Sequence, residues 1–234
     1  AAAAAESPLP ISASGTSCER CHGSGMEVVP GRGARACECL TSSIRQYLLG
    51  RIPERFAGCS LAAFEPDARR HPMQAEILEA LRANPGANYF LSGSFGTGKT
   101  QFLWMLYRQA VEGRERHPLA YTLIGLLNEY RSAFDTAERR TEPARPKLTA
   151  DVLRNASTKY AVFLDDIDKA RPTEYVAEQV FDLLDAIYAH GHQLVVTTNL
   201  PAVELIDHFE RADERYGGAI VRRLLTNSTK FEMF

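Results

Sequence analysis

The sequence predicts an α/β fold, a three-layer sandwich in which a five-stranded parallel sheet lies between two layers of helices. From about residue 73 onward, apolar segments typical of strands alternate with amphipathic segments typical of helices, which is the pattern of a parallel sheet with crossover helices. A glycine-rich turn follows the first of these strands, and two carboxylates follow a later one. The N-terminal stretch is rich in cysteine, glycine and serine instead, and therefore predicts a separate small module.

Length and composition limit the protein class. The chain has 234 residues, of which 45% are hydrophobic, and a formal net charge of −2. This length is enough for one α/β domain and a small module, and no apolar run is long enough to cross a membrane. The charge argues against a generally basic nucleic-acid-binding surface and leaves any DNA contact to local clusters. We expect a soluble, cytoplasmic protein without a membrane partner.

The chain divides into four predicted segments. Residues 1–17 are predicted to be disordered or an artificial addition, because the opening alanines carry neither an initiator methionine nor a secretion signal. Residues 18–42 are predicted to form the small module, and residues 43–72 a connector that starts with a short helix. Residues 73–234 are predicted to form the α/β domain.

Two close cysteine pairs characterise the small module. Cys18 and Cys21 are separated from Cys37 and Cys39 by a glycine-rich loop, a spacing that can place four thiolates around one tetrahedral Zn²⁺. The alternatives are two disulfides, four unbound thiols, or His22 as a substitute ligand. A fifth cysteine, at position 59 in the connector, is predicted to be a small packed residue. The sequence therefore predicts a structural zinc site in this module.

The elements of the α/β domain follow from periodicity and from glycine and proline positions. Strands are predicted at residues 88–92, 119–124, 160–164, 193–198 and 230–234. Helices are predicted at residues 73–84, 99–112, 125–134, 149–157 and 173–190, with two more within residues 201–225. The charged segment 136–147 contains two prolines and predicts a linker.

The glycine-rich turn fits the pattern G-x-x-x-x-G-K-[ST]. Its members are Gly93, Ser94, Phe95, Gly96, Thr97, Gly98, Lys99 and Thr100. Because it lies between a strand and a helix, backbone N–H groups and the helix N-terminus can converge on a phosphate. In this pattern Lys99 reaches the β- and γ-phosphates and Thr100 holds Mg²⁺. The sequence thus predicts binding of ATP or ADP; the alternative is a glycine-rich turn that matches by chance.

Polar residues follow two further strands. Asp165 and Asp166 end an apolar strand, so we expect Asp165 to hold Mg²⁺ and Asp166 to orient or deprotonate the attacking water. Asn199 ends the next strand, at the edge where ligands bind in open α/β sheets, and is placed to sense the γ-phosphate or to position water. The alternatives are a surface turn for the two acids, and a helix cap or turn for Asn199.

Two adjacent arginines, Arg222 and Arg223, lie on a predicted short helix near the end of the sequence. A guanidinium from a neighbouring subunit can stabilise the phosphoryl group that is transferred. The alternative is a solvated basic face.

Taken together, these motifs resemble the AAA+ ATPases of the bacterial helicase loader (DnaC/DnaI) and IstB transposition-helper group. The resemblance runs from residue 51 onward and includes the Thr-Asn-Leu-Pro segment that contains Asn199. It implies that Arg223 is the catalytic finger acting on a neighbouring subunit, although Arg222 stands where the group has aspartate, which leaves the choice between the two arginines open. Asp166 replaces the glutamate of most AAA+ proteins, which implies slow, assembly-stimulated ATP hydrolysis.

The resemblance also implies partners. Subunits bound to ATP are expected to assemble head to tail as a ring or helical filament on single-stranded DNA, and to deliver a replicative, DnaB-type hexameric helicase. The zinc module is expected to contact that partner. DNA contact is predicted for a mixed aromatic and cationic cluster, against the alternative of a solvated helix end with core aromatics. Its members are Tyr130, Arg131, Phe134, Arg139, Arg140 and Arg145.

Two other functions fit parts of the sequence. An IstB-like ATPase that assists DNA transposition would share the α/β domain, but the resemblance implies that this group generally lacks the cysteine pairs. A small-molecule kinase would share the glycine-rich turn, whereas the paired carboxylates and Asn199 fit a hydrolase better.

Overall fold

The computed structural model describes residues 18–22, 24–29, 31, 33–67, 69–138 and 148–234. The chain forms two compact units, which divide between Ala57 and Gly58. The prediction for residues 1–17 lies outside the described residues, and the predicted module and connector boundaries at residues 42 and 72 remain predictions. Within the described part of the chain, no helix combines the length and apolar character that a membrane crossing requires.

The first unit contains a hairpin and a helix. Strands β1 (Met26–Val29) and β2 (Gly33–Ala36) pair antiparallel, with Met26 opposite Ala36. Helix α1 (Glu38–Gly50) follows, and a single 3-10 turn (Glu54–Phe56) comes after it. The expectation of a glycine-rich loop between the cysteine pairs was wrong, because the chain forms a hairpin there. Its strands were not predicted, since they are short, largely exposed and show no clear alternation of apolar and polar residues. The predicted helix begins earlier than expected, directly after Cys37.

The second unit is the predicted α/β domain. Its strands are β3 (Asn88–Gly93), β4 (His117–Thr122), β5 (Tyr160–Asp165), β6 (Gln193–Thr198) and β7 (Ser228–Met233). Its helices are α2 (Gln74–Ala83), α3 (Lys99–Gly113), α4 (Leu123–Glu138), α5 (Ala150–Arg154), α6 (Glu174–Ala189), α7 (Ala202–Glu210) and α8 (Gly217–Leu225). The strand order is β4-β5-β6-β3-β7 and every neighbouring pair is parallel, which confirms the predicted five-stranded parallel sheet.

The order of the strands positions the functional residues. Strands β5 and β6 are almost entirely buried, as expected for central strands covered on both faces. Strand β6 lies between β5 and β3, and Ser92 of β3 is in register with Thr198 of β6. Since all five strands run in one direction, the residues that follow β3, β5 and β6 emerge side by side at the carboxyl edge of the sheet.

Most predicted boundaries lie within two residues of the observed ones; the exceptions are the end of α4, which runs four residues further than predicted, and the end of α5, which comes three residues earlier than predicted. Helix α4 starts at Leu123, where Thr122 Oγ1 accepts the N–H of Gly125 at 3.1 Å, so the preceding strand ends earlier than predicted. The same helix continues to Glu138, which corrects the first residues of the predicted linker. Residues 139–147 of that linker lie outside the described part of the chain.

Candidate nucleotide site and metal centre

The glycine-rich turn connects β3 to α3 with a backbone that only glycine accommodates at its start. Gly93 has φ +152°, and a Cβ atom there would lie 2.4 Å from the carbonyl oxygen of Met233. Gly98, with φ +100°, directly precedes the first residue of α3. The turn therefore presents the N-terminus of a fifteen-residue helix, whose unpaired N–H groups and dipole favour an anion.

Lys99 is buried at the base of this turn. Its Nζ donates to the carbonyl oxygens of Gly93 at 2.7 Å and Ser94 at 2.8 Å, so the ammonium group lies against the loop. Burial lowers the pKa of Lys99, and the nearby carboxylates of Asp166, Asp168 and Asp165 oppose that shift. A cation with this environment is suited to a phosphate, whose charge would compensate for the lost hydration.

Helix α2 supports the turn from outside. The side chain of Gln74 is buried; its Nε2 donates to the carbonyl oxygen of Thr97 at 3.0 Å, and its Oε1 accepts the N–H of Asp67 at 3.2 Å. Gln74 thus fixes the turn to the segment that precedes α2. Nothing in the sequence pattern singled out this residue.

Thr100 and Asp165 form a pair that fits a magnesium ion. Thr100 Oγ1 donates to Asp165 Oδ1 at 3.0 Å, and adjacent oxygen ligands of an octahedral Mg²⁺ with bonds of about 2.1 Å also lie about 3.0 Å apart. Thr197 Oγ1, fully buried in β6, donates to the same Oδ1 at 2.6 Å and orients the carboxylate. The sequence analysis missed Thr197, because threonine is an ordinary strand residue.

Asp166 and Asn199 contact each other, as their positions on neighbouring strands predict. Asp166 adopts φ +54°, and its N–H donates to Thr197 Oγ1 at 2.9 Å. Asn199 Nδ2 donates to Asp166 Oδ1 at 3.2 Å. The alternative role of Asn199 as a helix cap is not observed, because α7 starts after Pro201 with no side-chain cap. The arrangement brings a carboxylate and an amide together, and the Asp166 carboxylate lies close enough to Lys99 to act on its pKa.

A third carboxylate, Asp168, lies behind Asn199. It accepts the backbone N–H of Asn199 at 2.9 Å and the side-chain Nδ2 at 3.2 Å, and it pairs with Lys169 Nζ at 3.0 Å. Burial opposes ionisation of Asp168, but hydrogen bonds from Asn199, Lys169 and Thr198 outweigh it and lower its pKa. The sequence analysis did not assign Asp168 or Lys169, although both lie within three residues of the paired carboxylates.

The two arginines of α8 differ in their surroundings. The Arg223 side chain is 29% exposed, and its Nε and Nη2 donate to Asp185 Oδ1 at 2.9 and 2.8 Å. Its guanidinium also lies 5.1 Å from the centre of the Tyr188 ring. Arg222 is exposed. Both candidates of the sequence analysis thus lie on one helix, and the one predicted as the finger is held by an ion pair of its own chain.

The four cysteines of the first unit form one cluster. The Sγ atoms of Cys18, Cys21, Cys37 and Cys39 all lie within 4.8 Å of one another, with 3.8 Å between Cys18 and Cys37 and 3.4 Å between Cys21 and Cys39. Tetrahedral Zn²⁺ with Zn–S bonds of about 2.3 Å needs sulfur atoms about 3.8 Å apart. All four are free thiols rather than disulfides, so the cluster could bind zinc.

The close packing of the four thiols also favours a metal ion, because thiolates this close together would repel one another without one. Hydrogen bonding with Cys21 and Cys37 raises the pKa of Cys39 to about 12, so four thiolates would share this space only around a metal ion. The hairpin fixes the two pairs, because Cys37 N–H donates to Gly25 O at 2.8 Å and Glu27 binds both Arg20 and Arg35. His22 is exposed and lies outside the cluster.

Cys59 and the predicted DNA-contacting cluster are the remaining residues that the sequence analysis named. Cys59 Sγ accepts Gln101 Nε2 at 3.2 Å, in agreement with a packed residue. In the predicted DNA-contacting cluster, Tyr130 is 7% exposed and belongs to the hydrophobic core, which fits the alternative of a core aromatic. Arg131 is exposed and donates to Asn128. The Phe134 side chain and the three arginines at 139, 140 and 145 lie outside the described residues.

Curated proteins similar to this chain are replication initiators. The chromosomal replication initiator protein DnaA of Borreliella afzelii is 26% identical over 141 residues, which are 58% of this chain and 27% of that protein. DnaA of Porphyromonas gingivalis is 27% identical over 147 residues, which are 61% of this chain and 29% of that protein. This chain therefore spans little more than a quarter of the length of these relatives. No protein-family model matches it.

Solved structures of replication proteins share the fold. The crystal structure of DnaI has a TM-score of 0.58 at 16% identity, covering 79% of this chain and 95% of that one. The DnaC helicase loader has a TM-score of 0.57 at 15% identity, covering 77% and 99%. AMPPCP-bound DnaA from Aquifex aeolicus has a TM-score of 0.51 at 15% identity, covering 74% and 49%. The predicted three-layer α/β fold is confirmed, and the predicted likeness to the DnaC/DnaI group is confirmed as a likeness of fold.

Proposed function

We propose that this chain is an ATP-dependent helicase loader, an AAA+ ATPase that assembles on single-stranded DNA in the cytoplasm and delivers a replicative hexameric helicase. The observation that carries the proposal is coverage: the structural match takes in 95% of DnaI and 99% of the DnaC helicase loader, but only 49% of DnaA. The four-cysteine cluster supports loading over the alternative, an IstB-like role in transposition.

The contacts around Lys99 support nucleotide binding and hydrolysis. Lys99 and the α3 N-terminus would bind the β- and γ-phosphates, while Thr100 and Asp165 would hold Mg²⁺, which neutralises phosphate charge when bound. Asp166 would accept the proton of the attacking water, and Asn199 would orient Asp166. Hydrolysis is expected to be slow, because Asp166 stands in place of the glutamate of most AAA+ proteins and its shorter side chain reaches less far toward the attacking water.

The position of Arg223 supports assembly of several copies. Arg223 lines a small surface cavity together with Asn88 and Leu194, which lie at the amino ends of β3 and β6. The phosphate-binding turn lies at the opposite ends of these strands, about 16 Å away for a six-residue strand. This separation from the nucleotide site of its own chain supports the proposal that Arg223 acts on the nucleotide of another copy, in a head-to-tail ring or helical filament.

Replacing Arg223 by alanine is expected to leave ATP binding intact and to lower assembly-stimulated hydrolysis by roughly 10³-fold, the usual contribution of an arginine finger. Phosphate release is measured against protein concentration, with and without single-stranded DNA, beside ATP titrations of the same samples. Equal hydrolysis by the Arg223→Ala variant and the unchanged protein would contradict the role.

Two companion variants separate catalysis from structure. Asp185→Asn breaks the ion pair with Arg223 but keeps the guanidinium, so hydrolysis is expected to persist. Arg222→Ala tests the neighbouring arginine. If only Arg222→Ala lost hydrolysis, Arg222 and not Arg223 would be the arginine finger.

Helicase binding is the direct test of the loader function. The full chain, immobilised with zinc present, is expected to retain a purified replicative hexameric helicase more strongly with ATP than with ADP. Cys37→Ser is expected to lose this binding, whereas Cys59→Ser keeps it, because only Cys37 belongs to the cysteine cluster. No retention under any nucleotide condition would reject loading, and capture of a transposase in its place would favour the IstB-like alternative.

A further inference from the structure

Asp168 is a buried carboxylate at the candidate nucleotide site that the functions assigned above leave unused. Its side chain is only 4% exposed, although it carries a negative charge next to two other carboxylates. Burying a charge in this way costs free energy unless hydrogen bonds and an ion pair compensate. Its partners are the backbone and side chain of Asn199 and the ammonium group of Lys169. A charged side chain that is buried beside Asp166 and Asn199 is therefore a candidate for a functional role.

Asn199 can adopt only one orientation against Asp168. Its side-chain amide has two N–H bonds, and Nδ2 lies 3.2 Å from Asp166 Oδ1 and 3.2 and 3.3 Å from the two oxygens of Asp168. The backbone N–H of Asn199 donates to the same Asp168 carboxylate at 2.9 Å. Asp168 therefore holds both the backbone and the side chain of Asn199, and leaves one N–H bond of the Asn199 amide directed at Asp166.

Lys169 links this group to the phosphate-binding turn. Its Nζ lies 3.0 Å from Asp168 Oδ2 and 4.5 Å from the centre of the Phe95 ring, in the middle of the turn. The ammonium group also lies close enough to Lys99 to act on its pKa. The ion pair thus favours the anionic form of Asp168 and holds its side chain near the glycine-rich turn.

We propose that Asp168 is a positioning residue for ATP hydrolysis, which acts by orienting Asn199 toward Asp166. This inference rests on the proposed ATPase function. Without the Asp168 carboxylate, the Asn199 side chain loses its second acceptor and its backbone anchor, and Asp166 loses a fixed donor. The chemistry would slow while the contacts of Lys99 and Thr100 with nucleotide persist.

Asp168→Asn is the test, measured as kcat and KM for ATP in the full-length protein. The new amide presents one oxygen and one NH2 group where Asn199 needs two acceptor oxygens, so kcat is expected to fall roughly 10-fold, with KM nearly unchanged. Asp213→Asn is the matched control, since Asp213 also accepts a backbone N–H, that of Arg215 at 2.8 Å, and pairs with an arginine, outside this site. Its kcat is expected to match that of the unchanged protein.

A double-mutant cycle distinguishes positioning from general stabilisation. If Asp168 acts through Asn199, adding Asp168→Asn to Asn199→Ala lowers kcat no further, whereas independent effects multiply. Multiplicative effects, or an Asp168→Asn variant as active as the unchanged protein, would overturn the inference. Absence of hydrolysis in the unchanged protein would reject the proposed ATPase function itself, so the two failures are distinguishable.

Discussion

Replacement of Lys99 by alanine is expected to abolish ATP and ADP binding at working concentrations. Its Nζ is buried among loop carbonyls and three carboxylates, so the variant removes the cation that would meet the phosphates. Hydrogen bonds to charged groups contribute about 1.5–3 kcal/mol each, so the loss of contacts to both the β- and the γ-phosphate is expected to raise the Kd at least ~100-fold. Isothermal titration calorimetry with Mg²⁺ present measures the change.

Lys230→Ala is the matched control for Lys99→Ala. Lys230 is an exposed lysine on β7 of the same unit, and its removal changes the net charge equally without touching the turn. Thermal unfolding of both variants shows whether the domain still folds. If Lys99→Ala binds ATP as tightly as Lys230→Ala does, Lys99 does not hold the phosphates and the nucleotide site is wrongly assigned.

Replacement of Cys37 by serine is expected to remove bound zinc and the fold of the first unit. Cys37 is fully buried, and its backbone connects the hairpin to the first turn of α1. No residue of α1 is buried, so the unit has little hydrophobic core, and the metal would supply most of its folding free energy. Zinc content by mass spectrometry and hydrogen exchange of residues 18–57 measure the two effects.

The fifth cysteine is the control for Cys37→Ser. Cys59 lies in the second unit and bonds with Gln101, so Cys59→Ser is expected to retain stoichiometric zinc and full exchange protection of the hairpin. Equal zinc loss from both variants, or zinc-free protein whose hairpin remains protected, would contradict a structural metal site.

The features that the sequence predicted best are those with strong local signals. Strand β6 has the predicted bounds because its run of β-branched valines and threonines ends at Asn199. The turn at Gly93 was predictable because a backbone with φ +152° against Met233 demands glycine. By contrast, the hairpin that carries the cysteines consists of two exposed four-residue strands, which are too short for a recognisable period.

The residues that the sequence analysis missed act through contacts between distant segments. Thr197 orients Asp165 across two neighbouring strands, and nothing in a buried threonine of a strand distinguishes that role beforehand. The role of Asp168 could not be predicted, because it depends on the contact of its carboxylate with Asn199, 31 positions away. Likewise, the pairing of Arg223 with Asp185 joins residues 38 positions apart and depends on how α6 and α8 pack.

The close approach of Gly93 to Met233 has a consequence for synthesis of the protein. The glycine-rich turn is held by β7, the last strand in the chain order: Ser94 N–H donates to Met233 O at 3.0 Å, and Ser92 Oγ donates to Phe231 O, 139 positions away. During synthesis, the glycine-rich turn is therefore expected to reach its final conformation only after β7 has left the ribosome and paired with β3. A nucleotide bound in the proposed site would in turn oppose detachment of β7, and this would couple ligand binding to the folding of the domain.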